Sequence, residues 1–432
     1  MYGSSTNSAW CVLAALAVFV TAGGACAQAP AAQGGPTMLS TSLTPENLEK
    51  LRLHDFEKLV DEASHTEDFV GLAVAVVRHG EIQLLKTYGV REAGGDAPVT
   101  PNTVFRVGSL SKGFASTLAG LAMDDGQLAL DTPVAPYEPR FALKGGAEAR
   151  VTVEDILSHR TSLPPNAYDN LLEDGVTVPE ILSRLRNVKP ICSVGSCYAY
   201  QNVAYAMIGD VLSAVYHEPY ADLVRERIFT PLGMRTASVG QEGLAATGDW
   251  ARPHIRERSG DKASPQYGPW RSVVVKDAYY RTPAAGGVNA SISDMALWLK
   301  AQMGDAPNVL SERVLSTIHT PRVDTPAEKR RWDILQGRLN DAKYALGWRI
   351  YDYSGHTLIN HSGTVEGYAA QVAWLPERDV GIVVLANTRA GRVWRILPAF
   401  LDNELGLNER DWLVLNDGKD RFSVDGARAS GD

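Results

Sequence analysis

The sequence has little of what marks metal, nucleotide or membrane chemistry. Four cysteines and nine histidines are spread over 432 residues without metal-ligand spacing, and His217-Glu218 lacks the second histidine of a zinc helix. There is no glycine-rich phosphate loop and no repeat of fixed period. The net charge of -8 argues against a nucleic-acid partner, which needs a basic face. The apolar run at 9–20, AWCVLAALAVFV, is too short to span a bilayer. It has the length of a signal-peptide core, although the preceding MYGSSTNS carries no lysine or arginine. Ala25-Cys26-Ala27 matches an A-x-A cleavage site.

We therefore expect a signal peptide over 1–27 with cleavage after Ala27, a secreted or periplasmic product, and no stable membrane span in the mature form. A lipoprotein anchored through Cys26 is the second reading, because Gly23 stands where such sites usually carry Leu. The Ala/Gln/Gly/Pro-rich stretch that follows reads as a linker over 28–41. Cys192 and Cys197 remain in the exported chain. They read as a disulfide closing a small loop, with two free buried thiols as the other reading.

The rest has the composition of a globular protein, with 45% hydrophobic and 21% charged residues. We expect one domain over 42–405 and a polar, loosely held tail over 406–432. FVGLAVAVV at 69–77 and the run 82–90 read as two strands joined by a turn at 78–81. In the segment 109–121, Leu110, Phe114, Leu118 and Leu121 recur at helical spacing. Helices are expected at 153–159, 178–185, 203–216, 220–228 and, after the cap Ser291, through 303. Residues 240–282 read as a long loop or insertion. The late runs 344–351, 371–375 and 380–386 read as strands, and 392–405 as a helix. Early and late strands sharing one antiparallel sheet, with a helical region inserted between them, make an α+β fold.

Three short motifs carry chemistry. Ser109 and Lys112 stand three residues apart at a helix start, on one face. A serine hydroxyl becomes a nucleophile when a base takes its proton, and a lysine can do so once burial or a neighbouring charge lowers its pKa. The helix N-terminus adds N–H groups for a developing oxyanion. Tyr200-Gln201-Asn202 offers a phenol that can relay protons and an amide that can hold a substrate carbonyl. His361-Ser362-Gly363 lets a substrate backbone lie against a strand edge, with the N–H of Thr364 as an oxyanion donor. Taken singly each motif has a plain alternative: chance spacing, a core tyrosine before a helix cap, and an ordinary turn. His159, in LSHRTS, reads as the end of a helix rather than as a chemical group.

The order of these motifs, with FRVGSLSKGF, DILSHRTSLP, TPAAGGVNASISDMALWL, YALGWRI and GIVVLANT, resembles the serine β-lactamase-like superfamily. The likeness lies in the branch of class C β-lactamases, D,D-peptidases and related esterases, and runs from about Ser42 to Leu405. It implies a five-stranded antiparallel sheet flanked by helices, with an all-helical region beside it. Ser109 matches the acylated nucleophile, Lys112 its proton-transfer partner and Tyr200 the general base and proton shuttle. Asn202 matches the residue that contacts the substrate amide, and the N–H groups of Ser109 and Thr364 match the oxyanion hole. No metal or organic cofactor is implied. His361 stands where class C β-lactamases carry lysine, and a histidine can be neutral at pH 7. Val194-Gly195, between the two cysteines, replaces the frequent Pro-Gly. The expected activity is acyl transfer from a small-molecule or peptide acyl substrate, with a β-lactam as the leading class. D,D-peptidase and carboxylesterase activity are the alternatives within enzymes, and a non-hydrolysing β-lactam sensor the alternative outside them. The oligomeric state is not legible.

Overall fold

A computed structural model describes residues 44–261, 265–331, 337–408 and 410–415 of the chain. The signal-peptide and linker assignments, and the tail beyond 415, fall outside these residues. The centre of the fold is an eight-stranded antiparallel sheet. Its strands are β1 Gly71–Arg78, β2 Glu81–Gly89, β3 Val323–Asp324, β4 Leu339–Tyr344, β5 Arg349–Tyr353, β6 His356–Val365, β7 Tyr368–Leu375 and β8 Val380–Ala386. The order across the sheet is β3-β4-β5-β6-β7-β8-β1-β2.

Strands β1, β7 and β8 are buried along their whole length, which is why their sequences run apolar without alternation. The period of two still sorts their side chains between two cores. Ala73, Ala75 and Val77 face one core, Leu72, Val74 and Val76 the other. The register Val74↔Val384 and Ala75↔Val383 carries the same division onto β8.

On one face lie helix α1, Pro45–Ser64, and the C-terminal helix Ile396–Leu405, joined by an edge-on contact of Phe56 with Phe400 at 5.1 Å. The other face carries α2, Ser111–Asp124, and the helical region that includes α3, Val203–Tyr216, and α4, Ile292–Gln302. Here Phe114 of α2 stacks on Trp298 of α4 with ring centres 4.0 Å apart, and Trp298 stacks on Trp348. The Ser291 hydroxyl caps α4 by accepting the N–H of Asp294.

Several expectations need correction. The sheet has eight strands rather than five, because β3, β4 and β5 extend it beyond β6. The run 344–351 is not one strand: β4 ends at Tyr344, the chain turns, and β5 begins at Arg349. Gly347 makes that turn at φ +77°, against the Lys112 carbonyl and the Tyr205 hydroxyl, where a methyl would lie within 2.9 Å of each. The hairpin sets Tyr344 directly opposite Arg349. The H-S-G stretch lies inside strand β6, which sets aside the ordinary-turn alternative. The segment 240–282 holds a short helix, Gln241–Ala246, and two small strand pairs, 254–255 with 271–272 and 258–259 with 266–267. The start of the tail packs against the fold: Trp412 and Leu413 are buried, and the Trp412 indole donates to Asp402 at 2.8 Å.

Candidate active site

Ser109 sits in a 3-10 turn, Gly108–Leu110, that leads into α2. The turn leaves the serine partly exposed while its neighbours Gly108 and Leu110 are buried. One turn on, the Lys112 side chain is wholly buried. Its Nζ meets three groups: Ser109 Oγ at 3.2 Å, Asn202 Oδ1 at 2.7 Å and the Ala285 carbonyl at 3.0 Å. Two of these, the amide oxygen and the carbonyl, can only accept. A neutral amine there spends both its N–H bonds on them and turns its lone pair to Ser109. Burial lowers the Lys112 pKa well below the usual lysine value; Asp169 opposes the shift and Arg349 adds to it.

Tyr200 approaches from the segment before α3. Its ring centre lies 4.6 Å from Lys112 Nζ, and the Ser109 hydroxyl is among the groups that act on its phenol. Burial pushes the phenol up to about 12, opposed by the positive charge of Arg349 and by the Ser109 hydroxyl. Asn202 is fixed from both sides, since its Nδ2 donates to Asp169 Oδ2 at 2.6 Å while Lys112 holds its oxygen. Burial raises the Asp169 carboxyl to about 6 against the opposing pull of Asn202 and Lys112.

Strand β6 closes the other wall. At Gly363 the strand lies against the 107–109 turn: a methyl there would overlap the Val107 carbonyl and stand 3.1 Å from the Ser109 nitrogen. A methyl at Gly108 would stand 2.9 Å from the Thr364 nitrogen. The close approach of two backbones thus brings the N–H groups of residues 109 and 364 into one neighbourhood. Ser362 is partly exposed beside them.

His361 is buried and held at both nitrogens: Nδ1 is 2.8 Å from the Ser362 carbonyl and Nε2 3.1 Å from the Tyr344 hydroxyl. That hydroxyl is also 3.2 Å from Nε2 of His159, whose Nδ1 accepts the Gln201 N–H at 3.1 Å. With His361 neutral, as burial and the neighbouring cations hold it, the two backbone ends fix the direction of every bond in this chain. Gln201 N–H donates to His159 Nδ1, so His159 Nε2–H donates to Tyr344. Tyr344 then donates to His361 Nε2, and His361 Nδ1–H to the Ser362 carbonyl. Both imidazoles are neutral, in line with the burial and neighbouring cations that lower each well below its ordinary value.

The sequence-derived set Ser109, Lys112, Tyr200 and Asn202 therefore converges, with His361, Gly363 and Thr364 on the facing strand. Cys192 and Cys197 are joined by a disulfide in the loop before Tyr200. His159 does end a helix, through its N–H to the Ile156 carbonyl, but its ring also carries the hydrogen-bond chain just described. Asp169, Tyr344 and Arg349 went unrecognised in the sequence. Each is a single residue without a local pattern, although YALGWRI, which contains the last two, stands among the family-like stretches. Among the described residues no cluster of His, Cys, Asp and Glu is arranged to hold a metal, and no helix is long and apolar enough to cross a membrane.

The family model described as Beta-lactamase matches residues 56–401. The chain is 27% identical over 391 residues to Unguisins hydrolase ungD of Aspergillus violaceofuscus, covering 83% of this chain and 65% of that one. It covers 61% of a second unguisins hydrolase, from Aspergillus campestris, and so spans less than two thirds of either protein. It is 24% identical to a β-lactamase of Pseudomonas fluorescens, covering 79% of this chain and 95% of that one. In fold it resembles the octameric penicillin-binding protein homologue from Pyrococcus abyssi, with a TM-score of 0.68 at 23% identity over 82% of this chain and 78% of that one.

Proposed function

The chain belongs to the β-lactamase family, and on that premise we propose that it is a serine hydrolase working through a covalent acyl-Ser109 ester. The observation that carries the reading is the surroundings of Lys112 Nζ, where two obligate acceptors leave the amine lone pair for the Ser109 hydroxyl. Ser109 Oγ attacks the substrate carbonyl while its proton passes to Lys112, with Tyr200 alongside. The N–H groups of Ser109 and Thr364 receive the oxyanion. The proton then goes to the leaving nitrogen or oxygen as its bond to the carbonyl carbon breaks. Water attacks the ester, and the serine recovers its proton. Asn202, held by Lys112 and Asp169, orients the substrate amide.

A β-lactam amide is the leading substrate class, on family analogy. A second reading, a peptide or a neutral ester, is favoured by His361, whose nitrogens are both occupied within the protein and which carries no charge to pair with a substrate carboxylate. Mass spectrometry after incubation with benzylpenicillin separates them. Rapid turnover without a lasting adduct supports the β-lactamase, and a persistent adduct on Ser109 supports a peptidase or sensor. Cleavage of p-nitrophenyl acetate without any penicillin adduct supports an esterase. Undiminished activity of Ser109→Ala in every assay refutes the serine mechanism. The Cys192–Cys197 disulfide supports a working place in an oxidising compartment, which fractionation of the native host would test.

A further inference from the structure

Arg349 begins β5 and is almost wholly buried, at 8% exposure. Its guanidinium lies 5.5 Å from the centre of the Tyr200 ring and 5.9 Å from that of Tyr344. Its counter-ion is Glu328 of the short helix Pro326–Arg331, with Nε 3.4 Å from Oε2. That carboxylate also accepts the Tyr351 hydroxyl at 3.3 Å. The contact of Arg349 with Glu328 is ionic rather than a formed hydrogen bond. Nε and Nη1 are buried and find no hydrogen-bond partner among the described residues. A buried guanidinium with unspent donors costs stability, so fold stability alone is a poor account of its presence.

Its place in the site offers a better one. The strand register sets Arg349 between Tyr344 of β4 and Asn360 of β6, next to His361. Burial and neighbouring cations hold His361 toward its neutral form, so the positive charge on the sheet side of the site comes from Arg349, one strand further out. We propose that Arg349 is a positioning residue for acylation: its buried guanidinium, acting through Tyr200, supplies the positive charge against which the Ser109–Lys112–Tyr200 group moves its proton. The inference rests on the serine-hydrolase reading above.

The other titratable groups around Tyr200 are Lys112 from α2, His159 after its helix, Asp169, Tyr198 just before it, Tyr205 from α3, Tyr279, Glu328 from the short helix, Tyr344 from β4 and His361 from β6. The sign does not depend on which member of the group is the base. A cation favours the deprotonated form of the phenol and of the amine alike, and Arg349 lowers both. Glu328 acts on the phenol in the opposite sense.

The test is the pH dependence of Ser109 labelling by a fluorophosphonate, which reads acylation alone. In Arg349→Met the ascending limb should move to higher pH by about one unit, slowing labelling roughly tenfold below the limb. Arg349→Lys should keep the limb near its wild-type position, and Glu328→Gln should move it to lower pH. If Arg349→Met does not fold, Arg349→Met in the Glu328→Gln background removes both buried charges, and its limb should lie alkaline of Glu328→Gln alone. Equal slowing by Arg349→Met and Arg349→Lys with an unmoved limb would overturn the proposal, as would coincident limbs for the double variant and Glu328→Gln. Ser109→Ala tests the underlying reading separately: wild-type labelling there would refute the serine mechanism, whereas an unmoved limb with Ser109 intact refutes only the role of Arg349.

Discussion

Lys112 and His361 are both buried bases on the two sides of the Ser109 site, and they are left in opposite states. Lys112 has two obligate acceptors and one hydroxyl around its Nζ. Once deprotonated, it has a lone pair for a single partner, Ser109. His361 has both nitrogens committed, one to a carbonyl and one to a phenol. Burial depresses the pKa of each. What differs is the hydrogen-bond accounting. The helical wall leaves one site of proton exchange open, and the sheet wall closes every one. A basic side chain in a cleft is therefore a catalyst or a strut according to whether its neighbours use up its valences.

The sharpest way to break this contrast is to exchange the losses. Lys112→Met should lower ester hydrolysis about a thousandfold, while His361→Gln, which can donate to the Ser362 carbonyl and accept from Tyr344, should cost less than about tenfold. Comparable losses in kcat/KM for p-nitrophenyl acetate would show that His361 takes part in the chemistry. Next comes the seam between the walls. Gly363→Ala has no room beside the Val107 carbonyl and the Ser109 nitrogen. It should destabilise the fold by ~3 kcal/mol in urea unfolding and pull the two oxyanion N–H groups apart. A variant with unchanged stability and activity would mean that the walls are not held together there.

The pH dependence of stability sharpens the comparison further. The folded-state pKa of His361 lies below its unfolded value near 6.5, so the neutral imidazole contributes stability that is complete above that pH. This contribution is lost as pH falls below about 6.5, by about 1.4 kcal/mol per unit, because the unfolded chain then binds a proton that the folded one refuses. Measured against wild type, His361→Gln should be less stable at pH 8, with the gap closing between pH 6.5 and 5. A gap of constant size in chemical denaturation would mean that folding leaves the proton affinity of His361 unchanged, and a gap that widens as pH falls would mean that the folded state holds it charged. The smallest effect is expected before Tyr200. Cys192→Ser with Cys197→Ser opens a loop with a sequence separation of 5 and should cost about 2 kcal/mol while Ser109 remains reactive. A melting temperature that does not respond to reductant in the wild type would place the stiffness of this loop elsewhere.

Much of this was readable along the chain, and the parts that were not share a cause. The helix α3 and the strand β8 coincide with the runs read from sequence, since their apolar patterns are long and bounded by turns. Ser109, Lys112, Tyr200 and Asn202 stood out because their short spacings and order are themselves signals. The run 344–351 reads as one strand although it joins the end of β4 to the start of β5, since the turn between them is marked by a lone Leu346-Gly347 inside an apolar run. His159 looked like a helix terminus because its local role is that one. Its partners Tyr344 and Gln201 lie 185 and 42 residues away.

By itself the sequence determined the family, most of the longer strands and helices, and the candidate site residues Ser109, Lys112, Tyr200 and Asn202, because these depend on residue types at fixed small separations. Only the tertiary structure decided which bases stay free. That the Lys112 amine is buried against two obligate acceptors, Asn202 and Ala285, beside Ser109, that His361 is pushed toward its neutral form, and that the buried cation comes from Arg349 are outcomes of desolvation and hydrogen-bond saturation. Those quantities exist only once distant segments have closed around a side chain.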